Sequence, residues 1–263
     1  SKLVDAPIPE IKADEILVKM KYCGVCRSEH DAWKEAQAGK RFGHEPVGVV
    51  DKVGQAVTGF KPGDRVSGLA SPALAEYVVF NAAHTVHVPD GLDDEDATAE
   101  PLSCLVSAVL RLPLKPYGEP AAVVGCGYMG LGALSLMRMR MAGPIIAVDK
   151  RLEALEAALK FGATEVYLPE EVPQRYLATW ENGCKGGLPV VTEWAESNEA
   201  LNLAARMTMI DGTLGVGAYH TGGMRNIDMQ LWNFKAIMVN SLHERKAGYQ
   251  TTCCEQALTM LAE

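Results

Sequence analysis

The chain has 263 residues, 48% of them hydrophobic and 22% charged, with 33 acidic and 25 basic side chains and a formal charge of −8. That length allows two modest domains or one large one. An acidic balance with both signs interspersed excludes nucleic acid and anionic membrane as the main partner.

From Ile16 to about Val88 the pattern is one of short strands and turns: "EILVKMKYCG", "PVGVVDKVG" and "LAEYVVF" are strand candidates, and "FKPGDRV" carries a Pro-Gly-Asp turn. No helix of three turns is expected there, so this half reads as an all-β, barrel-like module. The rhythm then changes. Asp93 and Asp94 offer an N-cap and first-turn acids, Leu102, Leu105, Val106 and Val109 follow at helical spacing, and Pro113 and Pro116 close the segment. This is the expected hinge.

From Ala121 strands and helices alternate. Six apolar strand candidates, "AAVVG", "PIIAVD", "EVYLP", "LPVVTEW", "GTLGVGA" and "KAIMVNS", are separated in most places by helical patterns. Two are clear, "LEALEAALKFG", ending in Gly162, and "NEALNLAARM". The Gly- and Pro-rich link between the third and fourth strands fits neither pattern. Six such strands describe a doubly wound parallel sheet. The expected fold is therefore α/β with two domains: a β-barrel-like domain over residues 1–112 and a Rossmann domain over residues 113–263.

Gly125, Gly127 and Gly130 make a G-x-G-x-x-G spacing directly after the first of these strands, where a helix opens. Gly125 permits the tight turn, Gly127 lets backbone approach a pyrophosphate, and Gly130 lets helix and strand close. The helix start, through Tyr128 and Met129, offers N–H groups and a positive dipole end to the phosphates. The second strand ends at Asp149, nineteen residues beyond Gly130. A carboxylate there accepts from ribose hydroxyls and repels a 2′-phosphate, favouring NAD over NADP. Lys150 and Arg151 follow immediately and weaken that preference.

Seven cysteines, unevenly spread, read as free thiols with one metal ligand among them. Cys23 and Cys26 form a C-x-x-C pair, but no second pair exists for a zinc ribbon. A thioredoxin-type pair would open a helix, whereas this one follows a strand pattern. His44 and Glu45 stand side by side between two glycines, in a segment where a strand-rich domain can present an imidazole to a metal.

With these motifs in hand, the sequence resembles the zinc-dependent medium-chain alcohol dehydrogenases, the superfamily of sorbitol and threonine dehydrogenases. "GHEPVGVVDKVGQAV" fits the Gly-His-Glu signature, "CGVCRSE" the catalytic cysteine segment, and "TAEPLSC" a segment with a glutamate near the metal in the polyol branch. The resemblance implies a GroES-like catalytic domain and one catalytic zinc. Its ligands would be Cys26, His44 and a carboxylate from Glu45 or Glu100, with Glu100 the more direct ligand when no substrate is bound. Ser28 matches the hydroxyl residue that bonds the substrate oxygen and relays its proton, and Glu45 shares in catalysis by exchanging with Glu100. The implied reaction passes a hydride between NAD(H) and a secondary alcohol or ketone, a polyol, sugar or cyclitol. The competing readings are a zinc-free NADPH-dependent enone or quinone reductase, which normally lacks the Cys26 and His44 pair, and a catalytically silent nucleotide-binding protein.

The pattern also departs from the family. Only "SGLASPAL" lies where the structural zinc lobe carries four cysteines, so no second zinc is expected. The histidine usually five residues after the catalytic cysteine is Asp31, with His30 one earlier. The segment that returns to complete the catalytic domain is expected to be missing, because the chain stops at Glu263 in a helical pattern. "KAIMVNS" is an edge candidate for pairing with a second subunit, giving a homodimer or homotetramer, and the cytoplasm is the expected location.

Overall fold

The structure, a computed structural model, describes residues 2–263. It divides into two compact units, one running to Cys104 and including Glu244–Glu263, the other Leu105–His243.

The first unit holds β1 (Glu15–Gly24), the one-turn helix α1 (His30–Lys34), β2 (Glu45–Val53), β3 (Arg65–Gly68), β4 (Tyr77–Asn81) and β5 (Thr85–His87). The strands form one curled antiparallel sheet in the order β4-β1-β2-β3-β5. Alternation decides its faces. Ile16, Val18, Val50, Val66, Val78 and Phe80 are buried in one cluster, while Val47, Val86 and Val88 belong to another. Strand β5 was not anticipated from the sequence; three residues are too few to show a period.

Helix α2 spans Ala99–Leu110 and does not begin at Asp93. The Asp94 carboxylate accepts from the Arg65 guanidinium at 2.8 Å, and the Leu92 and Pro89 carbonyls take other Arg65 donors, so this stretch is held as a turn. The Ala99 N–H instead donates to the buried Ser67 hydroxyl at 3.0 Å, and Ser67 donates to the Pro46 carbonyl at 2.8 Å. A free helix N-terminus is thereby satisfied by β3.

The second unit continues with β6 (Ala121–Val124), α3 (Tyr128–Arg140), β7 (Ile145–Val148), α4 (Leu152–Lys160), β8 (Glu165–Tyr167), β9 (Leu188–Glu193), α5 (Asn198–Met207), β10 (Thr208–Val216), α6 (Met229–Phe234) and β11 (Met238–Ser241). All six strand candidates are present, in a parallel sheet of order β11-β10-β9-β6-β7-β8. Residues Ala122, Val124, Ile146, Val148, Val191 and Leu214 bury against Leu201, Ala204 and Met207 of α5. The link after β8 resolves into three single 3-10 turns, the last closed by reciprocal bonds between Thr179 and Asn182. Lys235, fully buried, stitches this link to the sheet: its ammonium donates to the carbonyls of Ala178, Ala205 and Thr208.

The final helix is α7 (Ala247–Ala262). The sequence pattern put a boundary after residue 112; the compact units divide inside α2, and α7 lies with the first unit. The cause is apolar burial. Cys254 and Leu258 close over Val47, Val86 and Val88, and the Thr251 hydroxyl lies 3.3 Å from His84 Nδ1. A fully buried leucine contributes roughly 1.5–3 kcal/mol to such an attachment.

Candidate active site

Strands β1 and β2 run antiparallel with Gly24 opposite Glu45. The chain leaving β1 toward Cys26 and the chain entering β2 through His44 therefore meet at the same end of the sheet. Two glycines make the meeting possible. A Cβ on Gly24 would lie 1.9 Å from a Glu45 carboxylate oxygen, so only glycine leaves room for that side chain. Gly43 has φ +97°, and a Cβ there would lie 2.5 Å from the Leu74 nitrogen and 2.9 Å from Cys23 Sγ. One ligand atom from each of Cys26, His44 and Glu45 lies within 4.8 Å of the other two.

The sulfur, nitrogen and carboxylate set suits zinc in both number and softness. Electrostatics points the same way. Burial first, and then the neighbouring Glu100 charge, raise the Glu45 pKa, and burial likewise raises that of Glu100. The His44 pKa is pushed up to about 9, first by its hydrogen bond with Cys26 and, against the effect of burial, by the charges and bonds of Glu100 and Glu29. Two carboxyls whose charge is costly stand beside an imidazole that holds its proton strongly, an arrangement a divalent cation would relieve.

Glu29 was missed by sequence reasoning. Its Oε1 lies 3.2 Å from His44 Nδ1 and accepts the Gly43 N–H at 2.8 Å. It therefore orients the imidazole and leaves the other ring nitrogen for a metal, as carboxylate partners of metal-binding histidines do. Its place directly after Ser28 in the cysteine segment was the available signal. Ser28 itself donates to Cys26 Sγ at 3.2 Å. His30 Nδ1 stands 3.3 Å from Asp31.

Glu100 lies in the first turn of α2, outside the Cys26, His44 and Glu45 group, and its Oε1 accepts from Gln250 Nε2 at 3.2 Å and from Cys104 Sγ at 3.5 Å. The structure thus gathers Glu45, and not Glu100, with the other two ligand candidates.

In the second unit, β6 runs into Gly125, which has φ +95°, and α3 begins at Tyr128 with Gly127 as its N-cap. A Cβ on Gly130 would lie 1.8 Å from the Gly125 carbonyl oxygen, whereas one on Gly127 would meet nothing within 4 Å. The close glycine seals the turn and the open one leaves space on the side where the helix N–H groups emerge. Asp149 follows β7, and its carboxylate accepts the Cys126 N–H at 2.7 Å, the Arg151 N–H at 2.9 Å and Arg151 Nε at 3.1 Å. Burial works against its charge, but the bonds from Arg151 and Cys126 outweigh it and hold the pKa below the usual range. Lys150 is exposed; its neighbour Arg151 is the basic residue that pairs with Asp149.

At the carboxyl end of β9 the fully buried Glu193 accepts the N–H groups of Ala195 and Glu196 at 2.7 and 2.8 Å. Its other oxygen lies 2.8 Å from His220 Nε2, and Arg225 Nε donates to His220 Nδ1 at 3.0 Å. His220 is a pin for the loop after β10.

A curled GroES-like sheet carrying a Cys, His and Glu cluster, in one chain with a glycine-turn Rossmann sheet, defines the class of protein. The alcohol dehydrogenase GroES-like domain matches residues 12–90 and the zinc-binding dehydrogenase domain matches residues 129–263. The chain belongs to the zinc-dependent medium-chain dehydrogenase superfamily. It is 30% identical over 253 residues to sorbitol dehydrogenase of Bacillus subtilis, covering 82% of this chain and 71% of that one. Identity to the "Probable D-xylulose reductase A" of Aspergillus fumigatus is 32% over 209 residues, 65% of this chain but only 58% of the relative's length. Galactitol-1-phosphate dehydrogenase from Escherichia coli has the same fold, with a TM-score of 0.80 at 20% identity over 100% of this chain and 86% of that one.

Proposed function

We propose that this protein is an oxidoreductase that transfers a hydride between NAD(H) and a secondary alcohol or ketone, using one zinc held by Cys26, His44 and Glu45. The observation that carries this reading is the convergence of those three ligand atoms within 4.8 Å. Zinc, when bound, supplies a Lewis acid that lowers the pKa of an alcohol hydroxyl. Around it, Glu29 would fix the His44 ring, and Ser28, two residues beyond Cys26, would accept a hydrogen bond from the substrate hydroxyl and relay the proton, releasing its own toward solvent as it receives the substrate's. Gly125, Gly127 and the N–H groups from Tyr128 through Gly130 receive the pyrophosphate, and Asp149 receives the ribose, with Lys150 beside it.

A polyol, sugar or cyclitol substrate is supported by the likeness to sorbitol dehydrogenase and the D-xylulose reductases. We further infer a homodimer or homotetramer formed through the edge strand β11, where Met238 is 65% exposed. No described helix is long and apolar enough to cross a membrane, and we place the protein in the cytoplasm. Elemental analysis of the purified protein tests the reading. One zinc per chain is expected, and Cys26→Ala or His44→Ala should abolish both metal and turnover while NADH still binds. Near-normal turnover in either variant would overturn the metal reading.

A further inference from the structure

Helix α7 contributes more than apolar cover to the first unit. Gln250 stands in its first turn, with its N–H bonded to the Lys246 carbonyl at 2.9 Å, and sends its side-chain amide across to α2. There the amide nitrogen reaches Glu100 Oε1 at 3.2 Å and Cys104 Sγ at 3.5 Å. Cys104, one turn beyond Glu100 on α2, donates to the same oxygen at 3.5 Å. Burial and the Glu100 charge push the Cys104 pKa far above its usual value, so that sulfur stays a thiol and a donor. Donors from two helices thus converge on one carboxylate oxygen.

Glu100 follows Ala99, whose N–H is bridged through the buried Ser67 hydroxyl to the carbonyl of Pro46, the residue after Glu45, yet its carboxylate lies outside the group formed by Cys26, His44 and Glu45. The two carboxylates differ in what holds them. Glu45 occupies the space that a side chain on Gly24 would fill, and Glu100 is held by Gln250 and Cys104. We propose that Gln250 is a positioning residue that restrains Glu100 beside the metal centre and so keeps a place there for an exogenous oxygen ligand. This rests on the metal reading above and deepens it: the helix that sequence patterning assigns to the Rossmann domain sets which glutamate completes the catalytic centre.

The test uses the full chain loaded with cobalt(II), whose visible d–d bands report its ligands, and azide as a small anion that takes an open position. Gln250→Met keeps the side chain's length and removes its donor. It should shift the cobalt spectrum and weaken azide binding by at least about 10-fold, the lower end of what changes behind a metal's ligands produce. Adding Glu100→Gln to that variant should return both readings to those of Glu100→Gln alone, because the intruding carboxylate is gone. Circular dichroism of the variants confirms that α7 is in place. A Gln250→Met protein with the parent's spectrum and azide affinity overturns the proposal. So does a double variant as perturbed as Gln250→Met alone, since the helix would then act by a route other than Glu100. Failure of the unaltered protein to take up cobalt would instead overturn the metal reading itself, and the two failures are told apart by that single control.

Discussion

Glu29 offers the sharpest test of the proposed metal centre, because one carboxylate oxygen serves two donors that both belong to the candidate ligand segment. It lies 3.2 Å from His44 Nδ1 and accepts the Gly43 N–H at 2.8 Å. Glu29→Ala leaves the imidazole free to turn and leaves the turn that places it short of an acceptor. Losing such a partner typically weakens metal affinity by roughly 10–100-fold, or about 1.4–2.7 kcal/mol. The sign of the pH dependence follows from His44. Its pKa in the metal-free protein is about 9, and the ring must be neutral to bind, so zinc displaces a proton at neutral pH. Affinity should therefore strengthen as pH rises and level off above about 9. Glu29 helps to raise that pKa, so removing it also eases the competition with protons. The deficit of Glu29→Ala should accordingly be smaller at neutral pH and larger above the His44 pKa. Zinc titration against a chromophoric chelator across this range measures both effects, with NADH binding as the control for folding. A variant with the parent's zinc affinity at every pH would refute the orienting role.

Gly24→Ala should weaken zinc at least as much as Glu29→Ala, because the added carbon would sit 1.9 Å from a Glu45 oxygen; an unchanged dissociation constant would show that Glu45 is not held there. Asp149→Ser should raise NADP(H) use relative to NAD(H), measured as a ratio of kcat/KM, since it removes the carboxylate and frees Arg151 from its 3.1 Å pairing. An unaltered ratio would mean that Asp149 only braces the Cys126 turn. Lys235→Met should destabilise the protein by about 1–3 kcal/mol for each buried carbonyl it leaves without a donor, the Ala205 carbonyl being spared because it also accepts the Thr208 N–H. A denaturant midpoint equal to the parent's would contradict the stitching role of its ammonium.

Periodicity made most of the fold legible. The six Rossmann strands are short apolar runs between turn residues, and a parallel sheet buried on both faces leaves that mark on a sequence. Gly162, with φ +102°, ends α4 where only a residue free to adopt the left-handed region does so cheaply. The helix start shows a tertiary partner overriding a local signal. Asp93 and Asp94 look like a helix start, but Arg65, remote in sequence, takes the Asp94 carboxylate and delays the helix to Ala99. Helix α7 carries nothing local to say which unit it covers. Its attachment depends on Cys254 and Leu258 meeting Val47, Val86 and Val88, a contact between distant parts of the chain.

The candidate site divides along the same line. Cys26, His44 and Glu45, and the glycines of the expected coenzyme turn, are legible as candidates because each motif is contiguous. The choice between Glu45 and Glu100 could not be made that way. Adjacent residues in an extended strand point to opposite faces, which argues against His44 and Glu45 sharing one centre and turned the sequence reading toward Glu100. The structure shows how His44 and Glu45 can come together: β2 begins at Glu45, so His44 stands in the connection before it and is not bound by the strand's alternation. Pairing of Gly24 with Glu45 then decides where the carboxylate goes, since the partner strand offers no side chain to block it. A glycine in "CGVC" that reads as turn chemistry is thus the counterpart of a glutamate twenty-one residues later, and only the antiparallel register of β1 and β2 brings the two together.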